Sequence, residues 1–430
     1  MNAPLASTKT ASQIPASSLA PAIDTAAAAI EQAVIAWRRD LHQHPELGNR
    51  EFRTAGIVAE HLKKLGFDEI RTGVAHTGVV GLLKGALPGP VVALRADMDG
   101  LPVAEETHFP FTSKARAQFN GEEVGVMHAC GHDCHVAILM GVAEILAGLR
   151  SQLKGSVKFI FQPAEEMPPE GEDGGAEMMV REGALEKPTP GAIFGLHVTS
   201  RQPVGEIGWR SGPTMASSDK LRIDVHGRQT HGAAPWLGVD PIVTAAQVVL
   251  GLQTVVSRTQ DITQEPAVVT IGAIRGGVRE NIIPDSVTMR GTIRTFNEDM
   301  RDDIHERITT LSEAIAKGSR ATCRVCITKN YPVTINDPAL TEAMLPTLQR
   351  VGGEGKVVNV PKITGSEDFS FFQRVVPGLF VFLGVTAPGV DPKTAAPNIS
   401  PRFTVDEAAL VTGVRMLAHL AVDWLEAKRS

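Results

Sequence analysis

Apolar residues near the start of the chain follow a helical period. Val34, Trp37 and Leu41 recur at intervals of three or four residues, which predicts a helix from Ala26 to about His44. The preceding residues are rich in Ala, Ser, Thr and Pro and carry no compact apolar block after a basic start. We therefore expect a disordered tail over residues 1–25 and no secretory signal peptide.

Strand-like apolar runs dominate the next part of the chain. Val91–Ala96 is almost continuously apolar, as a parallel strand buried on both faces would be. Further elements are predicted at Thr54–Leu65 (helix), Gly78–Leu83 (strand), His135–Leu149 (helix), Ser156–Phe161 (strand) and Ala192–Leu196 (strand). This alternation indicates an α/β fold with a mixed sheet flanked by helices.

The pattern changes from about Asp219. Strands and helices follow in the order β-α-β-β-α-β, at Lys220–His226, Asp240–Arg258, Ala267–Ile274, Ser286–Thr295, Glu298–Gly318 and Cys323–Lys329. This order is the ferredoxin-like split arrangement. The chain then returns to α/β character, with elements at Pro338–Val351, Gly378–Leu383 and Asp406–Arg429. We therefore predict that a domain of residues 26–213 and 331–430 is interrupted by a smaller inserted domain of residues 214–330.

Composition argues against several classes of protein. The 430 residues are 43% hydrophobic and 21% charged, and the net charge of −6 provides no basic surface for nucleic acid or an anionic membrane. No apolar run reaches the roughly 20 residues of a membrane span. We therefore expect a soluble enzyme that binds neither nucleic acid nor membrane.

The four cysteines are too few for a disulfide framework. Cys130 lies among histidines, where a reduced thiolate is the useful state, so we expect a cytoplasmic protein. Cys323 and Cys326 have Cys-x-x-Cys spacing, but a strand would direct them to opposite faces. We interpret these two as half-buried strand residues.

The strongest chemical signal lies between Met127 and His135. This stretch of nine residues contains two thiols, three imidazoles and a carboxylate. Glu165 and Glu166 follow one predicted strand and His197 follows another, at strand ends where α/β proteins build their sites. A Cys, several His and a Glu suit borderline-soft divalent metals, and a spare carboxylate can take a proton from an attacking water.

Several of these residues have a second interpretation. A lone Cys-x-His pair is usually a buried cysteine beside a structural histidine, but Cys130 and His132 have Asp133 and His135 as near neighbours, which favours a metal site. His128 or His135 can instead orient a ligand without binding the ion. Asp133 can likewise fix the tautomer of His132.

The order of the motifs is specific. They are Asp40–Leu47, Arg95–Asp99, Met127–His135, Gln162–Glu166, Gly195–His197, Thr230–Pro235, Asn281–Asp285 and Gly365–Phe369. From about Trp37 to Leu425 the chain resembles the aminoacylase-type metallopeptidases. The most similar branch is the amidohydrolases, which include hippurate hydrolases, N-acyl-amino-acid hydrolases and plant auxin-conjugate hydrolases. The resemblance implies a zinc-peptidase-like catalytic domain whose inserted domain is a lid that also forms a dimer interface.

The resemblance also implies a two-metal site. Cys130 would bridge the ions, which would be zinc, manganese, cobalt or nickel. His132 and His197 would bind one ion and Glu166 the other. Glu165 would be the general base and acid.

Other residues would support the site or bind the substrate. Asp97 would support the site from behind. His231, in the lid, would reach the active site of a partner subunit and stabilise the oxyanion. Asn281 would lie near the substrate carboxylate, and Arg290 or Arg294 would assist there.

One position departs from the family pattern. The family carries a last metal ligand in a His-Ser/Asn-Pro turn, and this chain has Ile399 at that position, in the segment Pro397–Phe403. Isoleucine cannot coordinate, so the ion on Glu166 would keep only two protein ligands. The site would then hold one ion and remain active, be impaired, or recruit Asn398 as a weak oxygen ligand.

The function expected from the resemblance is hydrolysis of N-acyl or N-aroyl amino acids, using one or two divalent ions. The alternatives are a dipeptidase or carbamoyl-amino-acid hydrolase of the same architecture, or a form impaired at Ile399 that binds without turnover. The Cys-x-His ligand pair favours the first, because the dipeptidase branches use His-x-Asp. The expected partners are a small N-acyl amino acid and a second copy of the chain, in a homodimer or higher homo-oligomer formed through the lid.

Overall fold

Residues 14–427 are described by a computed structural model. The helices are α1 Ala20–Gln43, α2 Phe52–Lys64, α3 His132–Gly148, α4 Gly175–Arg181, α5 Pro241–Ser257, α6 Glu298–Gly318, α7 Pro338–Gly352, α8 Phe369–Gln373 and α9 Ala408–Ala427. The strands are β1 Glu69–Val74, β2 Gly78–Lys84, β3 Leu87–Asp97, β4 Arg116–Phe119, β5 Glu122–Gly125, β6 Lys154–Gln162, β7 Ile193–Pro203, β8 Ile207–Trp209, β9 Gly212–Met215, β10 Ser218–His226, β11 Thr230–His231, β12 Ala267–Gly276, β13 Ile282–Ile283, β14 Ser286–Thr295, β15 Thr322–Tyr331, β16 Thr334–Asn336, β17 Val357–Asn359 and β18 Gly378–Thr386.

The chain divides into two compact units. Unit 1 contains the described residues up to Gly212 together with Asn336–Pro361 and the described residues from Phe371 onward, and unit 2 contains Pro213–Ile335 and Lys362–Ser370. The short segment Lys362–Ser370 therefore groups with the inserted part of the chain, although the sequence pattern had assigned it to the larger domain.

Unit 1 is built on an eight-stranded mixed sheet. Its strand order is β1-β2-β6-β3-β7-β18-β8-β17. The central strands β6, β3, β7 and β18 run parallel to one another, whereas β1 with β2, β2 with β6 and β18 with β8 pair antiparallel. With its flanking helices, this sheet confirms the predicted α/β class.

The helices of unit 1 bury apolar surface against this sheet and against one another. Every residue of α3 from His132 to Ala143 is buried, because α3 packs on α1, α9 and the central strands. Within residues 14–427, α9 is the one helix long and apolar enough to cross a membrane, and 78% of its apolar window is buried inside the protein. It is therefore a helix of the core.

The N-terminal region differs from the prediction. Helix α1 begins at Ala20, with Pro21 in its first turn, and both Ile23 and Ala27 are fully buried. Ser17 is buried too, and its backbone N–H donates to Asp423. The prediction of a disordered tail is therefore wrong for residues 14–25, because their apolar side chains pack into the core. The rest of the predicted tail, residues 1–13, lies outside the described residues.

Unit 2 is a four-stranded antiparallel sheet in the order β12-β14-β10-β15, with α5 and α6 on one face. This is the β-α-β-β-α-β arrangement predicted from the sequence. The segment Lys362–Ser370 joins this unit because the Ala216 N–H donates to the carbonyl oxygens of Ile363 and Gly365. On β15, Cys323 faces the helices and Cys326 the opposite side, as expected of unpaired strand residues.

Candidate metal centre

A glycine turn brings two of the candidate ligands together. Gly131 precedes α3 with a φ of 95°, a left-handed conformation that favours glycine. A Cβ atom at this position would lie 2.4 Å from Val198 Cγ2, so no larger residue fits. Cys130 and His132 therefore flank one tight turn at the N-terminus of α3.

His197 completes a compact donor cluster in unit 1. Its Nε2 atom lies 3.4 Å from Cys130 Sγ, and the ligand atoms of Cys130, His132 and His197 all lie within 4.8 Å of one another. The sequence had placed His197 just after a strand, but β7 continues to Pro203 because it pairs with β18. Pairing of β7 with β3 ends at Gly195, two residues before His197.

Both imidazoles of this cluster are held with Nε2 available for a ligand. His132 Nδ1 lies 3.1 Å from Asp99 Oδ1, and His197 Nδ1 donates to the carbonyl oxygen of Val198 at 2.7 Å. The Nε2 atom of His132 is buried and has no hydrogen-bond partner among residues 14–427. A buried, unpaired imidazole nitrogen is costly unless it binds something, so the geometry fits a metal ion.

Asp97 supports the centre through a different histidine. Its Oδ1 atom lies 2.5 Å from His135 Nδ1, and Arg95 donates to its other oxygen at 2.7 Å. The Nε2 atom of His135 accepts the backbone N–H of Val198 at 2.9 Å. Both nitrogens of His135 are thus engaged, so His135 fixes the strand beside His197 rather than offering a ligand atom.

Two neighbouring carboxylates complete the cluster. Glu165 is 5% exposed, and its Oε2 atom lies 3.9 Å from His132 Nε2. Ligand atoms of His132, Glu165 and Glu166 lie within 4.8 Å of one another. The backbone N–H of Glu166 donates to Asp99 Oδ2 at 3.0 Å, so Asp99 connects the imidazole and carboxylate sides.

The charges of the centre also favour a cation. Burial and the nearby charge of Asp99 raise the pKa of Glu166. Burial and the charge of Glu166 raise the pKa of the Cys130 thiol well above its usual range. A bound divalent cation would relieve both penalties, because it stabilises thiolate and carboxylate together.

Asp133 does not fix the tautomer of His132. It binds Arg38 Nε at 2.8 Å, and its Oδ2 atom also lies 2.8 Å from His42 Nδ1. The side chain of Asp133 therefore anchors α3 to α1. The role predicted for Asp133, fixing the tautomer of His132, falls to Asp99. The sequence offered one signal for Asp99, namely its position just past the end of a buried strand.

His128 is buried beside this network without entering the donor cluster. Both of its ring nitrogens lack a hydrogen-bond partner among the described residues. Burial lowers the pKa of its imidazole to about 4, so the ring is neutral. Nothing in the structure assigns it a ligand role.

Ile399 occupies a strained turn against the centre. Its φ is 73°, which is a rare backbone conformation for a β-branched residue. Its side chain is half exposed. Its backbone N–H donates to the carbonyl oxygen of Ala129 at 2.8 Å. Asn398 donates to the carbonyl oxygens of Cys130 and Val198, both at 3.0 Å.

The Asn398 side chain therefore hydrogen-bonds to backbone groups and is not part of the donor cluster. Its Oδ1 atom accepts the N–H of Ser200 at 3.3 Å, so its oxygen as well as its nitrogen is engaged. This arrangement disfavours the alternative in which Asn398 replaces the missing histidine as an oxygen ligand.

In unit 2, His231 and Asn281 belong to one small element. Strand β11, which contains His231, pairs with β13, and the Gly232 N–H donates to the carbonyl oxygen of Asn281 at 2.8 Å. The Ala233 N–H donates to His231 Nδ1 at 3.0 Å, so the proton of the neutral ring lies on Nε2. The exposed imidazole is therefore oriented as a hydrogen-bond donor.

Arg290 and Arg294 share the face of β14 opposite the helices. They alternate with the buried residues Met289 and Ile293, as strand geometry requires. Arg294 donates to Ser366 Oγ at 2.9 Å, and burial lowers the pKa of its guanidinium.

This α/β fold and this donor set define a metal-dependent hydrolase. Comparison with known proteins makes the class specific: the family described as "Peptidase family M20/M25/M40" matches residues 93–423. The chain belongs to this family, and its cofactors are one or two divalent metal ions.

Individual relatives match along most of the chain. "Thermostable carboxypeptidase 1" of Saccharolobus solfataricus is 39% identical over 395 residues, which is 91% of this chain and 95% of the relative. "N-acetylcysteine deacetylase" of Bacillus subtilis is 38% identical over 93% of this chain and 98% of its own length. A solved Bacillus subtilis structure, described as a dinuclear metal-binding peptidase from the M20 family, has a TM-score of 0.78 and 36% identity, covering 93% of this chain and all of its own.

Proposed function

We propose that this enzyme hydrolyses the amide bond of N-acyl or N-aroyl amino acids to a carboxylic acid and a free amino acid. The observation that carries the proposal is the position of Glu165, a buried carboxylate next to a Cys130–His132–His197 donor cluster. A purely structural metal site has no use for a spare carboxylate, whereas a hydrolytic site requires a base.

The curated relatives support this substrate class. The Bacillus subtilis relative is named for an N-acetylated amino acid, and it matches nearly the full length of both chains. The Saccharolobus solfataricus relative is named as a carboxypeptidase, which favours short peptides as the second candidate substrate. Both activities break an amide bond next to an amino acid, so one site can be tested against both.

Metal binding, proton transfer and support of the ligands fall to different residues. Cys130, His132, His197 and Glu166 would hold the divalent cofactor, which when bound polarises a scissile carbonyl and lowers the pKa of water to about 7. Glu165 would take the proton of the attacking water and return it to the leaving amine. Asp97 and its hydrogen-bonded partners would keep the donors in place.

We assign substrate contacts to unit 2. His231 carries its proton on the exposed Nε2 atom, as an oxyanion donor must. Arg294 is partly buried and has a serine hydroxyl as its one described hydrogen-bond partner, so a substrate carboxylate would meet a poorly solvated guanidinium. Asn281 and Arg290 are proposed as further contacts to that carboxylate.

The test is release of free amino acid from a substrate panel. The panel contains N-acetyl and N-benzoyl amino acids, the matching N-carbamoyl amino acids and dipeptides, each with enzyme loaded with zinc, manganese, cobalt or nickel. We expect N-acyl substrates to give the highest kcat/KM. Glu165→Gln is expected to lower kcat by about 10³–10⁴-fold, and Glu170→Gln, which changes an exposed glutamate nearby in sequence, is the matched control.

The outcomes separate the candidates. Preference for dipeptides or for N-carbamoyl amino acids would replace the proposed substrate class but leave the mechanism intact. Equal turnover by wild type and Glu165→Gln would show that the base is assigned wrongly. Tight substrate binding without turnover by wild type would identify a binding form.

We further propose that the centre binds one ion tightly and a second ion weakly. The tight position would use Cys130, His132 and His197, whereas the weak position would have only Cys130 and Glu166 because Ile399 offers no donor. Metal content after dialysis should be close to one equivalent for wild type and two for Ile399→His. Two retained equivalents in wild type would contradict this proposal, and Ile399→Val serves as the control substitution.

We propose that the protein is a cytoplasmic homodimer formed through unit 2. The edge strand β12 exposes Ile274, and α5 exposes Val243 and Leu250, the latter by 72%. Exposed apolar side chains beside an unpaired strand edge favour association. Light scattering should show a dimer for wild type and for Gln253→Glu, and a monomer for Leu250→Asp; a monomeric wild type would refute the proposal.

A further inference from the structure

One segment of unit 1 contacts the residue that precedes Glu165. The backbone N–H of Ala164 donates to Glu51 Oε1 at 2.9 Å. A Cβ atom placed on Gly48 would lie 3.1 Å from Ala164 Cβ, so the two residues are closely packed. Residues 48 and 51 thus hold Ala164 by packing on one side and by a hydrogen bond on the other.

Ala164 has an unfavourable backbone conformation. Its φ is 51°, in the left-handed region, which costs a non-glycine residue about 1–2 kcal/mol. Such a conformation persists only where the surroundings impose it. Because Glu165 follows directly, the direction in which its carboxylate leaves the backbone depends on what keeps Ala164 in place.

Glu51 is suited to impose this conformation. Its side chain is fully buried, and its second oxygen is hydrogen-bonded to the Thr77 hydroxyl at 2.6 Å, a contact in which either oxygen can donate. Burial and the charge of Asp99 raise the pKa of Glu51 to about 8. The carboxyl group is therefore mostly neutral near pH 7, so it places an acceptor against Ala164 without adding a full negative charge.

We infer that Glu51 is a positioning residue: by accepting the Ala164 N–H it holds the left-handed turn that aims Glu165 at the metal centre. This inference rests on the proposed role of Glu165 as the base. Glu51 belongs to no ligand group and would act on the reaction only through the backbone of residues 163–165. Its loss should therefore lower the rate of proton transfer while leaving substrate binding in place.

The first experiment compares four variants in the metal-loaded enzyme. Glu51→Ala should lower kcat by about 100-fold with KM nearly unchanged, since a displacement of about 1 Å at a reacting group can have an effect of that size. Glu51→Gln keeps an acceptor for Ala164 and a polar partner for Thr77, so it should restore kcat. Glu51→Asp, one methylene shorter, gives a milder test if the alanine variant does not fold. Thr77→Val breaks the other hydrogen bond of Glu51 and should leave kcat unchanged.

A second substitution tests the backbone directly. Glycine adopts a positive φ without strain, so Ala164→Gly should recover a measurable part of kcat in the Glu51→Ala background. Because the same change also removes about 1–2 kcal/mol of backbone strain, urea unfolding of the single and double variants distinguishes recovered positioning from recovered stability. The inference is overturned if Glu51→Ala and Glu51→Asp keep wild-type kcat, if Glu51→Gln is as slow as Glu51→Ala, or if Ala164→Gly recovers nothing.

A readout independent of activity separates this inference from the proposed function. The Glu166 amide donates to Asp99, so its hydrogen exchange reports whether the segment after Ala164 stays in place. Glu51→Ala should make this amide exchange faster, and Glu51→Gln should not. If wild type hydrolyses no substrate in the panel, the proposed function fails, and unchanged exchange at Glu166 in Glu51→Ala would still overturn the positioning role.

Discussion

The two sides of the donor cluster are built differently. On the thiolate–imidazole side, the ring of His132 is fixed by Asp99 and the ring of His197 by a backbone carbonyl, so both Nε2 atoms are oriented in advance. On the carboxylate side, Glu166 is only partly buried, and Ile399 stands half exposed in a strained turn without a donor atom. One side is preorganised for a cation and the other depends on a single carboxylate.

The turn at Ile399, where the sequence predicts the position of a further ligand, is held by hydrogen bonds that do not involve the side chain of residue 399. Asn398 still fastens the turn to the carbonyl oxygens of Cys130 and Val198, and the Ile399 N–H still binds Ala129. These hydrogen bonds thus keep the backbone of residue 399 in place whatever its side chain is. A donor side chain introduced at residue 399 should therefore raise metal affinity on that side without rebuilding the turn.

The largest predicted effect tests whether the carboxylate side performs chemistry rather than holding metal. Glu165→Gln should lower kcat by about 10³–10⁴-fold, because an amide cannot take a proton from water. Metal content should remain that of wild type, since Glu165 is assigned no ligand role. Steady-state kinetics and elemental analysis on the same preparation check both parts, and loss of metal in this variant would make Glu165 a ligand instead.

The next effect concerns the pH dependence of stability in the metal-free protein. The pKa of Glu51 is raised from 4.5 to about 8 by burial and by Asp99. The folded state therefore holds a proton that the unfolded state releases above pH 4.5, so the contribution is fully present below about pH 4.5, declines as pH rises and is lost above about pH 8.

Glu51→Gln should remove this decline. The free energy of unfolding of the variant relative to wild type should rise by about 2–4 kcal/mol between pH 5 and pH 8, because each pKa unit corresponds to 1.36 kcal/mol. Urea unfolding at several pH values measures the difference, with the exposed Glu170→Gln as control. Parallel pH profiles for Glu51→Gln and wild type would show that Glu51 is already ionised in the folded protein.

A smaller effect tests whether the hydrogen bond that orients His132 contributes to metal affinity on the thiolate–imidazole side. Asp99→Asn should weaken metal binding by about 10–100-fold, because losing the hydrogen-bond partner that orients a ligating imidazole typically lowers metal affinity by that factor. Competition titration with a chromophoric chelator measures the affinity, and Asp173→Asn, an exposed change, is the control. Unaltered affinity would mean that the turn at Gly131 suffices to orient His132.

The sequence located the centre because its parts follow simple rules. Cys130 and His132 lie at the start of helix α3, and Glu165 and Glu166 follow a buried strand, so the ends of neighbouring elements bring them together. His197 was predicted as a ligand from its place after an apolar strand together with the other two segments, although β7 in fact continues to Pro203. The β-α-β-β-α-β unit was also predictable, since each of its elements has clear periodicity.

The sequence could not assign the carboxylates that support the ligands. Asp133 is next to His132 in the chain, but the first turn of α3 directs it towards Arg38 and His42 of α1. Asp99 reaches His132 only because β3 and α3 are packed together in three dimensions. Partner choice of this kind depends on tertiary packing, as does the order of residues 14–25.

The smallest predicted effect measures the backbone strain at Ile399, on the carboxylate side. Ile399→Gly should raise the free energy of unfolding by about 1 kcal/mol, because glycine adopts a φ near 73° without the cost of a β-branched side chain. Ile399→Val keeps the branched Cβ and should show no gain. If Gly stabilises and Val does not, the turn is imposed by Asn398 and Ala129 against the preference of its own residue. If Gly is no more stable than Val, the turn is unstrained.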